Sequence, residues 1–304
     1  MDEKLHHTSC PVCGSKSINP LLTVKDHSVT KEDFVIWQCN NCTLRFTQDV
    51  PVEAAIGKYY KSTDYISHTN THKGLLNKIY QRVRNYTLQK KAKLITENTG
   101  ISQGKLLDVG AGTGNFLDTM KKKGWMVTGL EPNDEARGIA KKSYNLDVFD
   151  SAGINNLSIN SFDAITLWHV LEHVYDLHGY IDHFKKLLKT NGKFFIAVPN
   201  YQSLDADIYR LNWAAYDVPR HLYHFTPRAM DVLMQKHSLT IIAKKTMPFD
   251  SYYISMLSSK YKNGHIKWIS SLISGLRSNV SATFDADKCS SIIYIVAKTK
   301  ALSF

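Results

Sequence analysis

Lys105-Leu106-Leu107-Asp108-Val109-Gly110-Ala111-Gly112-Thr113-Gly114 runs from an apolar segment into three glycines at alternate positions. A helical pattern of Phe116, Leu117 and Met120 follows directly. The pattern predicts a buried parallel strand, a tight turn and a helix N-terminus, the βα unit that receives nucleotide-like ligands. Glycine lets the backbone approach such a ligand closely, and the free N–H groups of the helix's first turn face an anionic group.

Two ligand classes use such a turn. A dinucleotide loop reads G-x-G-x-x-G, but after Gly110 and Gly112 the third slot holds Asn115. The loop instead reads D-x-G-x-G-x-G, and the carboxylate of Asp108 just before the turn suits a ligand bearing an ammonium group. Met126-Val127-Thr128-Gly129-Leu130-Glu131 then reads as a second strand ending in an acid. An acid about 20 residues beyond the first glycine can accept both ribose hydroxyls of an adenosine. Glycine loop, Asp108 and Glu131 together fit S-adenosylmethionine (SAM).

Four further stretches extend the pattern: Leu130-Glu131-Pro132, Phe162-Asp163-Ala164-Ile165, Trp168-His169-Val170-Leu171-Glu172-His173-Val174 and Lys193 to Asn200. With the glycine loop they resemble class I SAM-dependent methyltransferases, above all the branch similar to ubiquinone-biosynthesis O-methyltransferases. The resemblance covers about residues 99 to 300, with its motifs in order. It implies an α/β, Rossmann-like fold: a mostly parallel seven-stranded sheet with helices on both faces. It also implies SAM as cofactor, held by Asp108, Gly110, Gly112, Gly114, Glu131 and Pro132, with Trp168 beside it. The third strand ends near Val148-Phe149-Asp150, where this fold usually meets adenine; Phe149 is equally explained as core. Strands are expected near 105–110, 126–131, 146–149, 163–169, 193–198, 239–246 and 290–299.

Ahead of this region stand Cys10-Pro11-Val12-Cys13 and Cys39-Asn40-Asn41-Cys42. Each C-x-x-C pair puts two thiolates on one turn, and two such turns complete a tetrahedral site. Cys10, Cys13, Cys39 and Cys42 are therefore expected to hold a structural zinc in a small ribbon over residues 1–50. Residues 51–98 read as a helical linker and possible lid: Leu75, Leu76, Ile79, Tyr80, Val83 and Tyr86 recur at helical spacing. Tyr65 in the polar stretch before them is a candidate for substrate contact. Residues 99–304 form the SAM-binding domain, and Cys289 reads as buried.

The chemistry is expected past the fourth strand, because ligands of open α/β sheets sit beyond the strands' carboxyl ends. His169 and His173, four residues apart, would share one face of a helical turn. Methyl transfer is an in-line displacement that needs alignment, and a base where the acceptor is a hydroxyl. His169, His173 and His221 are the catalytic candidates. Asn212 to Pro227 packs Arg220, His221 and His224 among aromatics, and resembles a stretch recurring in this branch. Arg220 and His224 are expected to bind substrate, Arg220 by a bidentate grip on an anionic part.

The chain carries 38 basic and 27 acidic residues, a net charge of +11. That excess favours anionic partners without choosing among them. Hydrophobic content of 43% supports a full core. No stretch reaches the length of a membrane span and the N-terminus is too polar for a signal peptide, so a cytoplasmic location is expected. Ile266, Ile269, Leu272, Ile273 and Leu276 form an amphipathic helix for core packing or a dimer face; a membrane-surface helix serving a lipid-like substrate is the sharper reading.

The acceptor expected is a small molecule or pathway intermediate, quinone-, lipid- or sugar-like, methylated on oxygen or carbon. Sugars enter because antibiotic-sugar methyltransferases similarly join a four-cysteine zinc domain to this fold. The alternative is an RNA methyltransferase that uses the ribbon for nucleic-acid contact. Against it, no Asn-Pro-Pro-aromatic motif follows the fourth strand. A non-catalytic scaffold is disfavoured while Asp108 and Glu131 are intact.

Overall fold

Short strands separated by turns build the N-terminal part: β1 (Lys4–Leu5), β2 (Ile18–Lys25), β3 (Asp33–Cys39), β4 (Arg45–Thr47) and β5 (Val50–Pro51). β3 alternates strictly at its start, with Phe34 and Ile36 inward and Asp33 and Val35 outward, as a half-buried strand must. This computed structural model describes residues 3–60 and 75–299, the side chains of 75–80 excepted; Tyr65 lies outside the described residues.

The main domain follows as α1 (Leu75–Thr99), β6 (Lys105–Val109), α2 (Asn115–Lys122), β7 (Met126–Leu130), α3 (Asp134–Tyr144), β8 (Val148–Phe149), β9 (Phe162–Trp168), α4 (Leu177–Leu187) and β10 (Leu188–Pro199). Then come α5 (Leu204–Tyr209), β11 (Tyr223–His224), α6 (Pro227–Lys236), β12 (Leu239–Thr246), α7 (Pro248–Asn263), α8 (Trp268–Phe284) and β13 (Ser291–Lys298). Seven strands form one sheet in the order β12-β13-β10-β9-β6-β7-β8. β10, β9, β6, β7 and β8 are parallel, and β13 runs antiparallel between β10 and β12. The order reverses at β6, so the glycine turn after β6 sits at the switch point where ligands bind. Each strand expected from residue 105 onward is present, and β10 begins earlier, at Leu188.

β11 does not join this sheet. It pairs with β4, giving a four-stranded antiparallel sheet in the order β11-β4-β3-β2. Thr47 N–H donates to Leu222 O at 2.9 Å, and Thr47 Oγ1 donates to His221 O at 2.8 Å. Cys10, Val12, Leu44 and Phe46 share one apolar cluster with Leu222, Tyr223 and Phe225. The N-terminal sheet is thus completed by a strand of the main domain.

The amphipathic stripe near 266–276 folds inside out relative to core packing. α8 buries Ser271, Gly275, Ser278 and Ala282 and leaves Ile269, Leu272, Ile273 and Leu276 exposed. Gly275 permits the approach: a Cβ there would lie 2.6 Å from Tyr252 of α7. Among the described residues no helix is long and apolar enough to cross a membrane.

The four knuckle sulfurs converge. Cys10 Sγ lies 3.5 Å from Cys42 Sγ and Cys13 Sγ 3.5 Å from Cys39 Sγ, with all four inside 4.8 Å of one another. Zinc–sulfur bonds of about 2.3 Å need tetrahedral edges of about 3.8 Å, so this donor set fits zinc. All four are free thiols. Cys39→Ser is expected to lower metal content by about one equivalent per chain and to lower the melting temperature. Elemental analysis and a thermal melt of the full chain check this; a variant that keeps both values would remove the metal from the ribbon.

Candidate functional site

The glycine turn is held from below by the second strand. Gly110, Gly112 and Gly114 all have positive φ, at 70°, 53° and 81°. At Gly110 a Cβ would strike Val170 at 2.6 Å, and at Gly114 it would strike Leu146 at 2.7 Å, whereas Gly112 faces open space. Two glycines are therefore required by packing, and the middle one presents bare backbone to a ligand. Glu131 accepts Gly112 N–H at 2.8 Å and Asn133 N–H at 3.0 Å. Its carboxylate ties the ends of β6 and β7 together while remaining partly exposed. Pro132 is exposed beside it, and its carbonyl accepts from Arg137.

Asp108 ends up buried, with Thr166 Oγ1 donating to its carboxylate at 2.5 Å. Burial pushes its pKa up to about 7, against the opposing pull of the Thr166 hydroxyl and the Lys91 ammonium. Lys91, on α1, places its Nζ 4.1 Å from the centre of the Trp168 ring. Burial lowers its pKa, and the charges of Asp250 and Asp108 oppose that. Trp168 packs edge-on against Phe116, and its indole N–H has no acceptor among the described residues. Phe149, at the end of β8, is half exposed rather than core. Asp150 caps the following 3₁₀ turn by accepting Gly153 N–H at 3.0 Å.

The histidines past β9 do not share a helical face. His169 sits alone at φ 58°, and Leu171–His173 forms a separate 3₁₀ turn. His169 Nε2 donates to Asp250 at 2.9 Å, and its Nδ1 lies 3.4 Å from Glu172. Burial alone would lower its pKa, but hydrogen bonding to Asp250 and Glu172 pushes it up to about 10. The catalytic role expected of His169 as a base is thereby corrected: near neutrality it is already an imidazolium between two carboxylates.

His173 and His221 do meet, edge to face, with ring centroids 4.6 Å apart. His173 Nδ1 donates to Arg220 O at 2.9 Å, and Tyr60 Oη lies 3.2 Å from the same nitrogen. Burial, and then the charge of His221, push the His173 pKa down to about 4, so this ring is neutral. His221 Nδ1 donates to Ala215 O at 2.8 Å. Glu172, fully buried below them, keeps a lowered pKa: burial raises it, and the His169 cation more than compensates.

Arg220 and His224 are placed elsewhere than expected. Arg220 is 3% exposed; it donates to Asp26 at 3.1 Å, to both Asp217 oxygens at 3.0 and 2.6 Å, and to Tyr59 O at 2.7 Å. Its guanidinium is already bidentate on Asp217, so the anion-binding role is corrected to a structural one. His224 is buried on β11, 3.2 Å from Thr47 Oγ1 and edge-on to Tyr216. Burial drives its pKa well down, and the ring lies enclosed between Thr47 of β4 and Tyr216. Lys91 and Asp250 were not anticipated; no local signal separates them from surface charges, since their partners are distant in the chain.

Known proteins extend this picture. The methyltransferase domain family matches residues 78–244. Ubiquinone biosynthesis O-methyltransferase of Haemophilus ducreyi is 32% identical over 116 residues, 34% of this chain and 49% of that protein. The mitochondrial enzyme of the same name from Bos taurus is 26% identical over 172 residues, covering 50% and 46%. The chain spans about half the length of the curated relatives it matches. In fold it is similar to the Burkholderia thailandensis 1,6-didemethyltoxoflavin-N1-methyltransferase, a structure with bound S-adenosylhomocysteine. That likeness has a TM-score of 0.51 at 13% identity, over 91% of this chain and 100% of the other.

Two outcomes check this geometry. Arg220→Met should destabilise the protein by about 3–5 kcal/mol, the cost of stranding buried carboxylates. Denaturant unfolding reads it, and an unchanged midpoint would return Arg220 to a substrate role. Glu131→Ala should weaken SAM binding by about 1.5–3 kcal/mol, since it removes the brace on Gly112 and the acid expected at the ribose. Calorimetry giving parent affinity would take Glu131 out of the site.

Proposed function

The chain belongs to the methyltransferase domain family, and from that premise we propose that it transfers a methyl group from SAM to a small-molecule acceptor, on oxygen or carbon. The observation that carries the reading is the braced glycine turn. Gly112 offers open backbone, Glu131 holds that backbone from the next strand, and Asp108 lies buried at the strand end. In this reading Asp108 meets the ammonium of SAM, Glu131 its ribose, and the half-exposed Phe149 its adenine. Trp168 and Lys91 close the side next to α1.

The acceptor would approach from the edge where His173 and His221 meet. His173 keeps Nδ1 on the Arg220 carbonyl, so this neutral ring presents the lone pair of Nε2, while His221 packs edge to face against it with Nε2 turned to Asp217 at 3.9 Å. That lone pair can accept the acceptor's hydroxyl proton while the cofactor's methyl carbon lies in line. The four cysteines would hold structural zinc. The sheet they organise pairs with β11 and so sets the position of His221. The ubiquinone-biosynthesis O-methyltransferase name of the relatives agrees with a quinone-like acceptor methylated on oxygen. The +11 charge does not choose RNA over other anionic partners, and the relatives named above are not named for RNA.

Incubating the protein with methyl-labelled SAM and a cell extract should place label in the small-molecule fraction and leave RNA unlabelled. His173→Ala and His221→Ala should each cut that labelling while SAM affinity stays within about twofold. Label in RNA, or loss of SAM binding in both variants, would overturn the assignment.

A further inference from the structure

α8 turns its bulky side chains away from the molecule. Ile269 is 77% exposed and Phe284 88%, while Leu272, Ile273, Leu276 and Val280 are each about half exposed. Ile269, Ile273, Leu276 and Val280 follow the 4-3-4 spacing of a helix–helix seam. Over 17 residues the stripe leaves on the order of 600 Å² of apolar surface, where a stable interface takes about 800 Å² from each partner. A patch of that size on one helix marks an interaction surface.

The charges on α8 decide what can cover it. A helix that lies on an anionic membrane carries Lys and Arg along its polar face. On α8 that side is Ser271, Gly275, Ser278 and Ala282, buried against the rest of the chain, and Arg277 is the single charged residue in its length. The residues that bracket it are Lys267 at the N-terminus and Asp285 at the C-terminus, both exposed. Each opposes the dipole of its own helix, which favours anions at its start and cations at its end. A second α8 laid antiparallel reverses both relations: Lys267 then meets the C-terminus and Asp285 of the other helix, and Asp285 meets its N-terminus and Lys267.

We propose that α8 is the interface of a homodimer, packed antiparallel on α8 of a second copy about a two-fold axis near Leu276. Such an interface is isologous, so each contact occurs twice and the assembly closes. An axis at the helix midpoint sets Trp268 beside the second copy's Phe284, Leu272 beside its Val280 and Lys267 beside its Asp285. A parallel pair would instead set Lys267 against Lys267. The interface lies one helix away from the candidate site: Gly275 packs on Tyr252 of α7, and α7 carries Asp250, the partner of His169.

Sedimentation equilibrium of the full chain at micromolar concentration should return twice the mass of one chain. Leu276→Glu sets two acids against each other at the axis and should raise the dissociation constant at least about a hundredfold. Ile269→Glu reads the same face, should Leu276→Glu fail to fold. Lys267→Glu should weaken the dimer about tenfold by placing like charges together. Adding Asp285→Lys to it should restore the parent affinity, an outcome that the antiparallel register alone gives. A monomeric parent, a dimer that Leu276→Glu leaves intact, or a double variant no tighter than Lys267→Glu overturns the proposal. So does a parent that stays monomeric in solution yet pellets with phosphatidylglycerol vesicles when Leu276→Glu does not, which would give the face to a membrane.

Discussion

The bond from Gly112 N–H to the Glu131 carboxylate joins the ends of two adjacent strands, and much of the site takes its position from it. A glycine turn with three positive-φ residues has little of its own to hold it in one shape. The carboxylate supplies the constraint from one side, and Val170 supplies it from the other by packing where a Gly110 side chain would be. Val170 belongs to the segment that carries His169, Glu172 and His173, so the glycine turn and that segment are in register through direct contact.

Around that contact the interior is charged, and its charges are arranged in alternation. Lys91 lies near Asp108 and Asp250, Asp250 holds His169, and His169 faces Glu172. Each group shifts its neighbour: acids keep His169 protonated, while burial and neighbouring positive charge leave His173 neutral. Two histidines four residues apart therefore have opposite characters. Removing a single member would leave its partner's charge buried without an opposite one, which is why such a chain of ions is fragile to point changes.

The strand positions and the cofactor loop are legible because they are local: an apolar run, a glycine at each required turn, an acid at the next strand end. What stayed hidden depended on partners far along the chain. Asp250 stands 81 positions from His169, and Asp26 stands 194 positions from Arg220, so neither pairing shows in a motif. Lys91 reads as any helical lysine until Trp168 is under it. On α8 the spacing predicts the helix but leaves open whether its apolar stripe packs on the core or faces outward, and it faces outward. Periodicity marks a stripe, and here the serines, Gly275 and Ala282 allow a close approach that the bulky Ile and Leu side would prevent.

The pairing of β11 with β4 makes the N-terminal sheet a poor cassette. Exchanging residues 1–50 for another ribbon would carry away β2, β3 and β4 and strand β11 without its partner. It would also uncover the Leu222, Tyr223 and Phe225 surface that Leu44 and Phe46 now cover. Recombination between relatives at this apparent boundary therefore has to bring a matching 222–225 segment with it. The two regions stand or fall as a pair, although the chain between them runs through the whole cofactor fold.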